Sequence, residues 1–440
     1  MDLMPASKFT HGDLREIVAS ELERARARSL DLLEPVPEHD LIRQHSPLMS
    51  PLVWDLAHVG NYEDIWLLRS LDAEGVGARY DEIYDAFRHS RKSRPSLPLL
   101  GPAHARRYIA SVRARVLDVL ERLPFDSELP LLADGFVYGM VVQHEHQHDE
   151  TMLATLQLMD GTGYRPTAAL PPKRAHIECD EVRVEGGAFV MGTDTEAWAY
   201  DNERPAHEVH VDPFWIDTVP VTNAAYAEFI AAGGYHERRW WTDAGWDRRR
   251  LDELEHPAFW RREGGDSWSR VRLGWHESLP PDEPVQHVSW YEADAYARFR
   301  GRRLPTEPEW EKAAAWDPRA GRARRYPWGD DPPDESHANL DQRHFRPAPV
   351  GAYPAGASAY GCLQMIGDVW EWTASDFTAY PSFRAFPYRE YSEVFHGTDY
   401  KVLRGGSWAT HPRAVRNTFR NWDYPIRRQI FAGFRCARDA

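Results

Sequence analysis

Apolar positions recur at three-and-four spacing in four stretches of the first 160 residues, the mark of helices with one inward face. Asp13 to Glu34 reads as an amphipathic helix rich in Glu, Arg, Ala and Leu. Ser50-Pro51, an N-cap followed by Pro in the first turn, opens a second helix to about Leu71, with Trp54, His58, Asn61, Ile65 and Leu68 on its stripe. Gly101-Pro102 precedes a third, Ala103 to Leu123. The fourth, Val137 to Met159, carries Val137, Val141, His144, His148, Met152, Thr155 and Met159 inward. Turns and one long crossover, Asp72 to Pro102, join them, which predicts an all-α four-helix bundle over residues 1–160.

The texture then changes. Residues 161–180 read as a linker, with Gly161, Gly163, Pro166, Pro171 and Pro172 and little periodicity. Glu181 to Gly192 alternates as a strand and Asp212 to Asp217 begins another. Helices are predicted near Thr222–Ala232, Trp290–Arg300 and Glu307–Ala315. Residues 181–440 thus predict a large irregular α+β domain without internal repeat.

Composition narrows the function classes. At 440 residues the chain has room for more than one core, and its 18 Trp and 19 Tyr suit folded domains. A formal charge of −15 argues against general nucleic-acid binding. There is no apolar run of membrane length, and Met1 to His11 lacks the core of a signal peptide. Cys179, Cys362 and Cys436 are odd in number and widely separated, which fits a reducing compartment. A cytoplasmic monomer acting on small molecules is expected. Only five of the 53 basic residues are Lys, and the excess Arg suits bidentate carboxylate binding.

Candidate chemistry sits on the fourth helix, in His144-Glu145-His146-Gln147-His148-Asp149-Glu150. His144 and His148 are one turn apart on the inward stripe, the spacing at which two imidazoles reach one metal ion. His146 and Asp149 fall on the next face and are expected in solvent. His58, inward on the second helix, completes a three-imidazole site. Three neutral ligands leave coordination positions open, as catalytic sites do. Spacing does not choose between zinc and ferrous iron.

Phrases in the second domain resemble the formylglycine-generating-enzyme fold, related to C-type lectins. They are Val184-Glu185-Gly186-Gly187-Ala188-Phe189-Val190-Met191-Gly192, Pro220-Val221-Thr222-Asn223, Arg303-Leu304-Pro305-Thr306-Glu307-Pro308-Glu309-Trp310-Glu311, Gly367-Asp368-Val369-Trp370-Glu371-Trp372, Arg404-Gly405-Gly406-Ser407-Trp408 and Gly433-Phe434-Arg435. Formylglycine-generating enzymes use a cysteine pair shortly before the last phrase, and His411 to Ala432 has none. Oxidation of a protein cysteine is therefore not expected, and sugar binding or scaffolding is the bland alternative for this fold.

The N-terminal half, with His144-x3-His148-x-Glu150, resembles the DinB-like metal-binding bundles. The fusion of the two is similar to the sulfoxide synthases of ergothioneine biosynthesis (EgtB-type hercynine oxygenases), and the tail Arg420 to Gln429 looks like the actinobacterial members. The resemblance implies an oxidoreductase that uses Fe(II) and O2 to join the thiol of γ-glutamylcysteine to C2 of the hercynine imidazole, giving a sulfoxide. It implies Fe(II) on His58, His144 and His148, with Gln147 bonding the substrate imidazole. Asn421 and Trp422 are implied at the trimethylammonium end, Arg91 and Arg94 at a carboxylate, and Asp423 with Arg427 at the glutamyl end. Arg88 competes for the carboxylate pair. Tyr380 is implied as proton donor, with Tyr388 and Tyr391 as competitors. Glu150 is assigned no metal contact. A structural Ca2+ in the C-terminal domain is an open expectation. A DinB-type zinc thiol transferase or hydrolase is the alternative, as is a related oxygenase taking cysteine or a selenosugar.

Overall fold

The computed structural model describes residues 11–122, 125, 128–159, 164, 166–174, 177, 180–264 and 267–440; Cys179 and part of the expected linker lie outside them. The chain divides into two compact units, one of residues 4–165 with Thr195–Trp198, the other of the rest.

The first unit is built on four helices: α1 (His11–Leu33), α2 (Leu52–Leu67), α3 (Pro102–Leu120) and α4 (Phe136–Leu158). Helix α2 is central, packed against α3 and α4, and is buried without interruption from Leu52 to Asp64. Gly60 makes this possible, since a Cβ there would lie 2.6 Å from Cγ2 of Ile109 on α3. The helix starts one residue later than the Ser-Pro signal predicts: Pro51 takes the N-cap position. The Ser50 hydroxyl instead accepts from Arg94 Nη1 at 2.5 Å, so a tertiary donor takes the group expected to cap.

The bundle core is polar as well as apolar, and here the structure corrects the sequence reading. His146 and Asp149, expected in solvent, are buried, with His146 Nδ1 3.1 Å from Asp149 Oδ2 and Ser29 Oγ donating to Asp149 Oδ1 at 2.6 Å. Beside them four charges close a ring: Arg26 pairs with Glu63 at 2.6 Å and Glu145 at 2.7 Å, and Arg113 with the same two at 2.6 and 3.0 Å. Burial penalises every member, but the two guanidiniums hold Glu145 below the usual carboxylate range. Arg26 Nη1 goes on to the carbonyl of Ile109 at 2.9 Å, so a remaining donor is also met.

Four residues from beyond the linker belong to this helical unit. Trp198 donates from Nε1 to the Asp134 carbonyl at 3.1 Å, and its own carbonyl accepts from Gln143 Nε2 at 2.9 Å. Its ring lies on Gly139 of α4, where a Cβ would come within 2.2 Å.

In the second unit the predicted strand Glu181–Gly192 is two strands, Glu181–Val184 and Gly187–Met191, in different sheets. Gly187, at φ 119°, turns the chain between them. The first pairs with Phe214–Asp217, which also pairs with Ala437–Asp439. The second forms a hairpin with His207–Val211. A four-stranded sheet runs Asn421–Asp423, Lys401–Arg404, Trp370–Asp376, Ala432–Gly433, the last pair parallel. The predicted helices appear as Asn223–Ala231, Trp290–Phe299 and Glu307–Ala315, capped by Thr222, Ser289 and Thr306. Helix Asp243–Leu251 and the sheet over residues 260–278 carry too weak a period to be foreseen.

Buried ion pairs join the phrases quoted above. Arg404 and Arg420 both reach Glu307, at 2.7 Å each, and Arg435 reaches Glu371 at 2.7 Å, beside the indole N–H of Trp310 at 2.8 Å. Each charge is removed from water and met by another, which ties loops far apart in sequence to one geometry. Among the described residues no helix is long and apolar enough to cross a membrane.

Candidate metal centre

His58 on α2 and His144 and His148 on α4 bring one ligand atom each to within 4.8 Å of one another. The ring centroids are 5.1 Å apart for His58 and His144, 4.7 Å for His58 and His148, and 4.6 Å for His144 and His148. Because α4 is a regular helix, the i,i+4 pair projects on one side, and packing of α2 on α4 delivers the third ring.

Neighbours fix the rings. His58 Nδ1 lies 2.7 Å from the carbonyl of Tyr84 in the crossover, leaving Nε2 for the centre. His148 Nδ1 lies 3.1 Å from Asp55 Oδ1, again leaving Nε2. His144 stacks on Tyr62 (3.7 Å, 14°), and its buried Nδ1 has no hydrogen-bond partner among the described residues. Trp54 stacks on His58 at 4.6 Å. Burial first, then the nearby His148, push His58 and His144 well below the ordinary imidazole range. Neutral rings are the protonation state a metal ion requires, so the donor set fits a divalent cation. Gln147 and Glu150 are half-buried on the same helix.

The crossover arginines separate by environment. Arg94, expected at a substrate carboxylate, is buried, lies 3.5 Å over the Trp54 ring and donates to Ser50, Ala86 and His89. Burial lowers its pKa to about 10, with the Asp55 charge opposing. Arg91 is half-buried and donates to the Leu48 carbonyl at 3.0 Å; Arg88 is exposed and paired with Glu82 and Asp85.

The tail residues are gathered within the second unit. Trp422 stacks on Phe377 (4.1 Å, 10°), with Phe395 at 5.5 Å and Tyr391 edge-on at 6.0 Å. Asn421 Oδ1 accepts from the Trp422 N–H at 2.9 Å, and Asp423 pairs with Arg427 at 3.1 Å. Tyr380 is buried in the apolar cluster with Phe189 and Met191, its ring 4.2 Å from the Arg420 guanidinium and 4.5 Å from His207. Burial pushes its phenol well above the ordinary value, and its hydroxyl has no partner among the described residues. Tyr391 stacks on Tyr200 at 4.1 Å, and Tyr388 lies 6.2 Å from Tyr391. In this unit no three His, Cys, Asp or Glu side chains among the described residues gather at ligand distance, so the Ca2+ expectation finds no such cluster.

The features that sequence reasoning missed are Asp55 and Tyr62, which flank His58 on α2 at i−3 and i+4. Their spacing to His58 was the available signal.

The DinB superfamily profile matches residues 21–152, and the sulfatase-modifying factor enzyme 1-like domain matches residues 167–440. The hercynine oxygenase of Mycolicibacterium thermoresistibile is 54% identical over 97% of this chain and 95% of its own. That of Mycobacterium tuberculosis is 53% identical over 96% and 99%. The formylglycine-generating enzyme of Streptomyces coelicolor is 35% identical over 62% of this chain and 95% of its own.

Proposed function

Since the chain belongs to the hercynine oxygenase family, we propose that it joins the thiol of γ-glutamylcysteine to C2 of the hercynine imidazole and oxygenates the sulfur. The observation that carries this reading is near full-length identity above one half with hercynine oxygenases, in a chain whose three histidines converge. The stoichiometry balances: the thiol loses S–H, the imidazole loses C2–H, and O2 gives one oxygen to the sulfoxide and one to water. His58, His144 and His148 would hold ferrous iron, which would supply the binding and reduction of O2.

The remaining work falls to side chains. Tyr84 and Asp55 keep two imidazoles in the tautomer that presents Nε2. Gln147, between the two α4 ligands, hydrogen-bonds the substrate imidazole. Asn421 and Trp422 receive the trimethylammonium, which donates no hydrogen bond and needs an aromatic face. Asp423 and Arg427 hold the ammonium and carboxylate of the glutamyl end, and Arg91 the other carboxylate. Arg94 keeps Trp54 against His58. Tyr380 delivers the proton as a neutral phenol. The position of Tyr391 beside Trp422 favours it as the second assignment for that task.

The test is anaerobic loading with Fe(II), addition of hercynine and γ-glutamylcysteine, admission of air and mass analysis, with cysteine and a selenosugar as competing donors. The sulfoxide of hercynine and γ-glutamylcysteine, formed with Fe(II) and not with zinc, is expected. Turnover with zinc alone would establish the thiol transferase instead.

A further inference from the structure

We infer that Asp55 is a positioning residue of the metal centre, a buried carboxylate that orients His148 and delivers through that ring the negative charge a three-imidazole set lacks. The inference rests on the reading of His58, His144 and His148 as the iron ligands.

The three rings are not equivalent. His58 faces a neutral carbonyl, that of Tyr84, and His144 has an aromatic face, Tyr62, with no partner on Nδ1 among the described residues. Only His148 faces a carboxylate, Asp55, at 3.1 Å. Asp55 sits three residues before His58, so α2 presents a ligand and a carboxylate on the same side.

Asp55 is 1% exposed, and its second oxygen, Oδ2, is buried without a hydrogen-bond partner among the described residues. A carboxylate so placed costs several kcal/mol unless a positive charge compensates it. Arg94 contributes a field but directs its hydrogen bonds to Ser50, Ala86 and His89. The His148 N–H is the single donor that Asp55 receives among the described residues, and a dication on the far side of that ring is the compensation the geometry invites. An N–H···O⁻ bond makes the imidazole a stronger donor, so Asp55 replaces at one remove the carboxylate of a two-His-one-carboxylate centre.

The test compares wild type with Asp55→Asn in anaerobic Fe(II) titration of the apoprotein and in the Fe(III)/Fe(II) midpoint potential. The variant should bind Fe(II) about 10- to 100-fold more weakly and show a higher potential, with the melting point of the apoprotein not lowered. Equal affinity and potential in the two proteins would overturn the inference while leaving the ligand assignment standing. Failure of wild type itself to bind Fe(II) would overturn both. Should Asp55→Asn not fold, ¹H–¹⁵N NMR of the zinc-loaded wild-type protein decides: a His148 Nδ1 that carries a proton resonating far downfield in ¹H supports the inference, and an unprotonated Nδ1 ends it.

Discussion

Tyr62 and His144 lie face to face, ring centroids 3.7 Å apart and planes within 14°. The contact holds the one ligand ring whose Nδ1 has no acceptor among the described residues. Such stacks contribute about 0.5–1.5 kcal/mol beyond area burial. Tyr62→Leu should therefore weaken metal binding by about 2- to 10-fold while circular dichroism of the apoprotein stays unchanged. Calorimetric titration with Zn(II) measures it.

The ring of Arg26, Glu63, Arg113 and Glu145 makes a separate prediction about stability. Glu63 is fully buried and accepts from both arginines. Glu63→Gln leaves two buried guanidiniums short of charge and should cost about 3–5 kcal/mol. Urea denaturation of the metal-free protein checks this, and added metal should not restore the loss.

Gly139 bears the Trp198 ring, and a methyl there would come within 2.2 Å of it. Gly139→Ala should destabilise the helical unit by about 1–3 kcal/mol through overpacking, although alanine is the better helix former. Thermal melting followed at 222 nm would show a lowered midpoint; a raised one would mean that the indole moves aside without cost.

Trp422 is presented by strand Asn421–Asp423 and braced by Phe377. If it receives the trimethylammonium, Trp422→Ala should raise KM for hercynine about 2- to 30-fold, the range of a cation–π contact of about 0.5–2 kcal/mol. KM for γ-glutamylcysteine should move little. Asp423→Asn should show the reverse split, and initial rates with each substrate varied distinguish the two.

How far the sequence can be read differs by element. The four helices and the inward places of His58, His144 and His148 follow from local periodicity, because one turn of helix decides which side a residue faces. The polar core does not, because Glu145 meets Arg26 and Arg113 across three helices and each, taken alone, looks like a solvated charge. The burial of His146 and Asp149 escapes local periodicity for the same reason: His146 faces Asp149, and the donor that meets Asp149, Ser29, lies on α1. In the second unit the quoted phrases were legible because they are the buried charges themselves, Glu307, Glu371, Arg404 and Arg435. The surroundings of Tyr380 and Arg94 are not, since their ring contacts come from residues remote in sequence.

The recruitment of Thr195–Trp198 into the helical unit bears on how the protein is dissected. A fragment ended in the glycine- and proline-rich stretch after α4, where a sequence reader would cut, lacks the indole that covers Gly139 and the carbonyl that satisfies Gln143. Both losses fall on the helix that bears two of the histidines. Such a fragment is a poor stand-in for the intact chain in metal-binding work.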